Sequence, residues 1–132
     1  MAKISKPDAN TFVWITSEPV TSAFITVDRQ RRLYFNTKAR EILESDYVML
    51  GYDHANKRII VGKPDIVRPT NVKPHRLDNR GYTSARPFLR ALGLTIEDLP
   101  LRYNYAGRDY TVKGAYAFEL VGDDKAGEDG GL

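Results

Sequence analysis

Apolar residues recur at every second position through Ile25, Val27, Leu33 and Phe35, the period of a strand buried on one face. Between the two pairs, Arg29 to Arg32 form a charged turn. From Thr37 the period changes. Ala39, Ile42 and Leu43 fall at spacings of three and four, one face of a helix, while Lys38, Arg40, Glu41 and Glu44 cover the other. Asn36 or Thr37 can cap its start with a side-chain oxygen. Tyr47 to Tyr52 and Arg58 to Val61 then flank the polar loop Asp53-His54-Ala55-Asn56-Lys57, which has hairpin length.

The same order recurs after a linker that carries Pro64, Pro69 and Pro74. His75 to Asp78, the turn Asn79-Arg80-Gly81 and Tyr82 to Ser84 predict two short strands. Ser84 and Pro87 suit the start of a helix, Phe88, Leu89 and Leu92 supply its apolar face, and Gly93 ends it. Leu101 to Tyr105 and Arg108 to Lys113 predict a hairpin turning at Ala106-Gly107, and Ala115 to Val121 a final strand. Asp28 matches Asp78 at a shift of 50, and Ile42-Leu43 matches Ala91-Leu92 at a shift of 49. One such unit cannot bury its apolar face alone, whereas two can pack face to face. The expected fold is mainly β (α+β): a compact β-barrel built from two βαββ repeats, about 24–63 and about 73–113. A barrel leaves no sheet edge exposed. Thr11 to Thr16, with the only Trp, predicts a further short strand.

A length of 132 residues fits one domain, expected over 1–121, with 122–132 as a disordered acidic tail. The chain carries +3, but its tail holds four carboxylates against Lys125, leaving +6 on the rest. Residues 57–90 hold nine Lys or Arg against Asp65 and Asp78. Such a basic stretch favours an anionic partner. With no cysteine, disulfides and thiolate metal sites are excluded. No apolar run is long enough for a transmembrane helix, and residues 1–10 do not read as a secretory signal, so the expected location is cytoplasmic and no membrane partner is expected.

Catalytic chemistry finds little support. His54 and His75 have no metal-ligand spacing, and no phosphate-binding glycine loop or nucleophile elbow occurs. Asp28 and Asp78 read as turn-initiating residues that bond their own backbone two residues on. The chain reads as a non-enzyme that needs no cofactor or metal. The basic residues are more informative: Arg29, Arg31 and Arg32 crowd one turn, Arg80 sits in the matching one, and Lys38, Arg40, Arg86 and Arg90 lie on the two helices. A guanidinium offers a planar fork that fits phosphate oxygens in pairs. Eight tyrosines are present, and Tyr34 and Tyr82 sit on strands beside these arginines, where aromatic rings can stack unpaired bases.

Val27-Asp28, Arg31-Arg32, Leu33-Tyr34-Phe35, Arg40, Leu43 and Arg58-Ile59-Ile60-Val61, followed by Leu77-Asp78, Arg80-Gly81, Phe88 and Leu92-Gly93, give an order of residues similar to a known pattern. It resembles the AbrB/MraZ family of swapped-hairpin transcription factors, in the tandem arrangement of MraZ. The resemblance implies a swapped-hairpin barrel that contacts DNA through basic turn and helix residues. Carried over, these are Arg29, Arg31, Arg32, Lys38, Arg40, Arg80, Arg86 and Arg90. The first turn lacks the family's Gly, the second reverses Gly-Arg to Arg80-Gly81, and Asn36 and Ala85 stand where the family has Pro before the helix.

The expected function is therefore a small DNA-binding regulator, with a single-stranded DNA-binding module as a variant that stacks bases on Tyr34 and Tyr82. The rival is an interaction protein, such as a phage-encoded or bacterial inhibitor that binds a host protein. Self-association into a homo-oligomer is compatible with either.

Overall fold

The computed structural model describes residues 12–14, 22–109 and 112–122. Among these residues eight strands form one antiparallel sheet that curls into a nearly closed barrel, with two α-helices. The elements are β1 (Phe24–Val27), β2 (Arg32–Phe35), α1 (Thr37–Leu43), β3 (Tyr47–Asp53), β4 (Arg58–Gly62), β5 (His75–Arg76), β6 (Tyr82–Ser84), α2 (Arg86–Leu92), β7 (Leu101–Asp109) and β8 (Ala115–Leu120). A 3-10 turn, Ile96–Asp98, precedes β7 with Thr95 and Asp98 capping each other reciprocally.

The strand order is β5-β3-β4-β8-β7-β1-β2-β6. Its two end strands are consecutive in the chain, and the Asp78 amide donates to the Tyr82 carbonyl at 2.9 Å across the turn that joins them. Partners cross between the chain's halves. β1 pairs with β7 (Ile25 opposite Tyr103), and β5 pairs with β3 (His75 opposite Val48). The halves also meet along β2 with β6 and β4 with β8.

The alternation read from the sequence is the alternation seen. Ile25, Val27, Leu33 and Phe35 point inward and are fully buried, joined by Val48, Ile59, Val61, Tyr103 and Phe118. Ala39 and Leu43 of α1 and Phe88 and Leu89 of α2 complete this core. Truncation of a ring such as Phe35 or Phe118 in so dense a core costs about 3–5 kcal/mol.

Two expectations change. Ala106-Gly107 is not a hairpin turn: β7 runs through it to Asp109, and the register against β8 slips between Tyr105 and Gly107. Gly107, at φ +100°, absorbs a β-bulge, and the alternating segment Ala115–Leu120 supplies the partner strand. Phe12 to Trp14 have no strand partner among the described residues; the rest of the Thr11–Thr16 prediction, and the acidic tail beyond Gly122, lie outside them. No helix among the described residues is long and apolar enough to cross a membrane.

Candidate nucleic-acid interface

The two charged turns are built by the same bonds. Asp28 Oδ1 accepts from the amides of Gln30 and Arg32 at 2.9 and 3.0 Å, and Asp78 Oδ1 accepts from those of Arg80 and Tyr82, both at 2.9 Å. This is the turn role expected of both aspartates. At Asp78 the Tyr82 amide is the main cause holding the carboxyl below its usual range. Each turn closes on a left-handed residue, Arg31 at φ +61° and Gly81 at φ +90°. That residue then meets the opposite half: the Phe35 amide donates to the Gly81 carbonyl at 2.8 Å, and the Ala85 amide to the Arg31 carbonyl at 2.9 Å. Each helix is thereby seated against a turn from the other half of the chain.

The side chains at the two junctions differ. Between α1 and the turn at Gly81, Arg40 donates from Nε to the Phe35 carbonyl (3.1 Å), from Nη1 to the Asn79 carbonyl (3.2 Å) and from Nη2 to Thr37 Oγ1 (3.3 Å). Buried Asn36 caps α1 by accepting from the Ala39 amide at 3.0 Å, and it also ties the Phe24 amide and the Ser22 carbonyl. Between α2 and the turn at Arg31 there is no such filling. The N-cap is Ala85, with only Ser84 Oγ accepting from the Arg86 amide at 3.2 Å. The space is a surface recess of about 370 Å³ lined by Arg31, Arg86, Leu89, Arg90, Leu94, Thr95 and Ile96. None of its three guanidinium groups pairs with a carboxylate among the described residues. Arg86 and Arg90 are exposed, and each guanidinium carries five donors.

A second cluster starts from the same first turn. Arg32 Nε binds Asp28 Oδ2 at 2.9 Å, and its guanidinium carbon lies 4.4 Å from the centre of the Tyr82 ring. Arg80 approaches the same ring at 5.1 Å. Tyr82 and Tyr34 stand opposite each other on β6 and β2, with ring centres 4.9 Å apart. The row extends to residues the sequence reading missed. Phe24 lies 6.1 Å from Tyr34, and Arg102 of β7 stacks on Phe24 at 3.9 Å. Their outward positions on β1 and β7 follow from the period of two; their adjacency depends on the crossed β1–β7 pairing, which has no local signal.

Of the eight basic residues singled out in the sequence, Arg31, Arg86 and Arg90 share the recess and Arg32 and Arg80 share Tyr82. Arg29 is exposed at the turn tip, Lys38 forms an exposed pair with Glu41 at 3.8 Å, and Arg40 is turned onto backbone carbonyls. No cluster of metal-ligating side chains occurs among the described residues. His75 faces a cleft lined by Leu50, Tyr52, Phe88 and Leu92, and burial pushes its pKa down. Comparison with known proteins finds no matching family model, no similar curated protein and no similar solved structure.

Proposed function

We propose that this chain is a non-enzymatic DNA-binding regulator, built as two βαββ repeats of a swapped-hairpin barrel of the AbrB/MraZ type. The crossed pairing of β1 with β7 and β5 with β3 supports the repeat, as do turn bonds that recur at a shift of 50. On this reading the second unit extends to Leu120, because β8 is the partner of β7.

The observation that carries the function is the recess between α2 and the first turn. Arg31, Arg86 and Arg90 converge there without a carboxylate, which suits phosphate oxygens. Arg32 and Arg80 extend the cationic surface around Tyr82, whereas Arg40 serves the fold. Binding through phosphates releases counterions, so affinity falls steeply with salt. Electrophoretic shift of duplex DNA at about 50 and 200 mM salt tests this, with a loss of roughly 40-fold to 500-fold expected if three to five phosphates are engaged. Affinity independent of salt would refute it.

A protein partner is the second reading. Trp14 is 86% exposed, and Phe12 packs edge-on against it at 5.0 Å. Such rings anchor protein interfaces. Capture of one defined protein from nuclease-treated bacterial lysate, lost on Trp14→Ala, is the expected outcome of that reading.

A further inference from the structure

The outer face of β6, β2, β1 and β7 carries a continuous row of rings and guanidinium groups: Arg80 and Arg32 on Tyr82, Tyr82 beside Tyr34, Tyr34 beside Phe24, and Arg102 on Phe24. We infer that this row takes an unpaired stretch of polynucleotide, with bases laid on the rings and phosphates on the arginines. The inference rests on the nucleic-acid reading above and names a different face and form of ligand from the arginine recess.

Three features carry it. The rings follow one another across three adjacent strands at 4.9 and 6.1 Å, spacings over which successive splayed bases can each find a π-face. The guanidinium planes are fixed in advance. Arg32 is held by Asp28 at 2.9 Å, and Arg102 donates from Nε to Asn104 Oδ1 at 2.9 Å. A fixed guanidinium plane is itself a stacking surface, and the Nη groups of a guanidinium can donate to phosphate. Charge also selects the occupant. The outward positions that interleave with the row, Thr26, Ser84 and Asn104, are neutral, so the row carries arginines and no carboxylate of its own. Asp28 and Asp78, in the turns beside it, are occupied by turn amides, and Glu119, opposite Asn104 on β8, is paired with Arg58 at 3.9 Å. A duplex hides its base faces in its own stack and gains nothing from the rings; a single strand gains a stacking contact at each ring.

The test is fluorescence anisotropy of the full chain with labelled oligothymidylate of about 12 nucleotides, and with a duplex of equal length. Tyr34→Thr and Tyr82→Thr keep strand propensity. Each is expected to weaken single-strand binding about tenfold, and Tyr34→Thr to leave duplex affinity unchanged. A second readout needs no variant: ultraviolet cross-linking of the natural chain to oligothymidylate should place adducts on Phe24, Tyr34 or Tyr82. Duplex binding with no single-strand binding, with silent substitutions, with losses equal on both ligands, or with adducts elsewhere would overturn the inference alone. Binding of neither ligand would overturn the nucleic-acid reading as well.

Discussion

Where α1 meets the turn at Gly81, the protein closes the gap with its own groups: Arg40 spends its guanidinium on two backbone carbonyls and Thr37, and Asn36 ties three more backbone groups. Where α2 meets the turn at Arg31, the same backbone bond is made, but the helix offers Ala85 and Leu89, and three arginines line an open recess. Leu89 goes to the core because it is apolar; Arg40, half-buried at its junction, donates to the carbonyls of Phe35 and Asn79 that lie within its reach. The difference teaches how one junction can be given to stability and the other freed for a ligand. Backbone geometry fixes the frame at both, and a few side chains decide its use.

The comparison can be broken most forcefully at Gly81. A β-carbon there would lie 2.3 Å from the Phe35 carbonyl oxygen and 2.8 Å from Arg40 Nε, on a left-handed backbone. Gly81→Ala should therefore cost about 2–4 kcal/mol in chemical denaturation. Arg31→Gly, in the matching turn, should shift stability by no more than about 1 kcal/mol. Next in size, Asn36→Ala removes a helix cap and orphans the Phe24 amide, for a loss of about 2 kcal/mol. Arg40→Leu should cost about 1–2 kcal/mol through its lost hydrogen bonds and leave duplex affinity unchanged. Arg90→Leu should do the reverse, with stability within about 0.5 kcal/mol and affinity reduced.

Acid sharpens the contrast with smaller effects. Burial lowers the His75 pKa below its ordinary 6.5, so the unfolded chain takes up that proton first. Stability should be full above pH 6.5 and fall as pH drops through it, and His75→Leu should flatten this limb. Asp78 is held below 3.8 by the turn amides, so its contribution is present above that pH and lost below it. Asp78→Asn should shrink the lower limb only, to which Asp53, held down chiefly by the Asn56 side chain, also contributes. Melting temperature against pH reads both.

The strands and helices were legible in the sequence because period two and period 3.6 separate cleanly at Phe35 and Thr37, and Asp28 and Asp78 announced their turns. The nearly closed barrel was expected from interleaved hairpins, whose closure removes sheet edges. The fate of individual arginines was not legible. Arg40 and Arg90 look alike along the chain, and only the crossed packing decides that one meets carbonyls and the other a recess. Phe24 and Arg102 lie 78 positions apart and meet through β1–β7 pairing. The strand β7 was cut short because Ala106-Gly107 has the chemistry of a turn, and a bulge uses the same glycine freedom.

The salt dependence of duplex binding, compared between the natural chain and an Arg31→Ala, Arg86→Ala, Arg90→Ala variant, tests the open junction most directly. Three lost phosphate contacts should lower the magnitude of the slope of log affinity against log salt by about 2.7, at about 0.9 per contact. An unchanged slope, with the variant folded and as stable as the natural chain, would contradict the account.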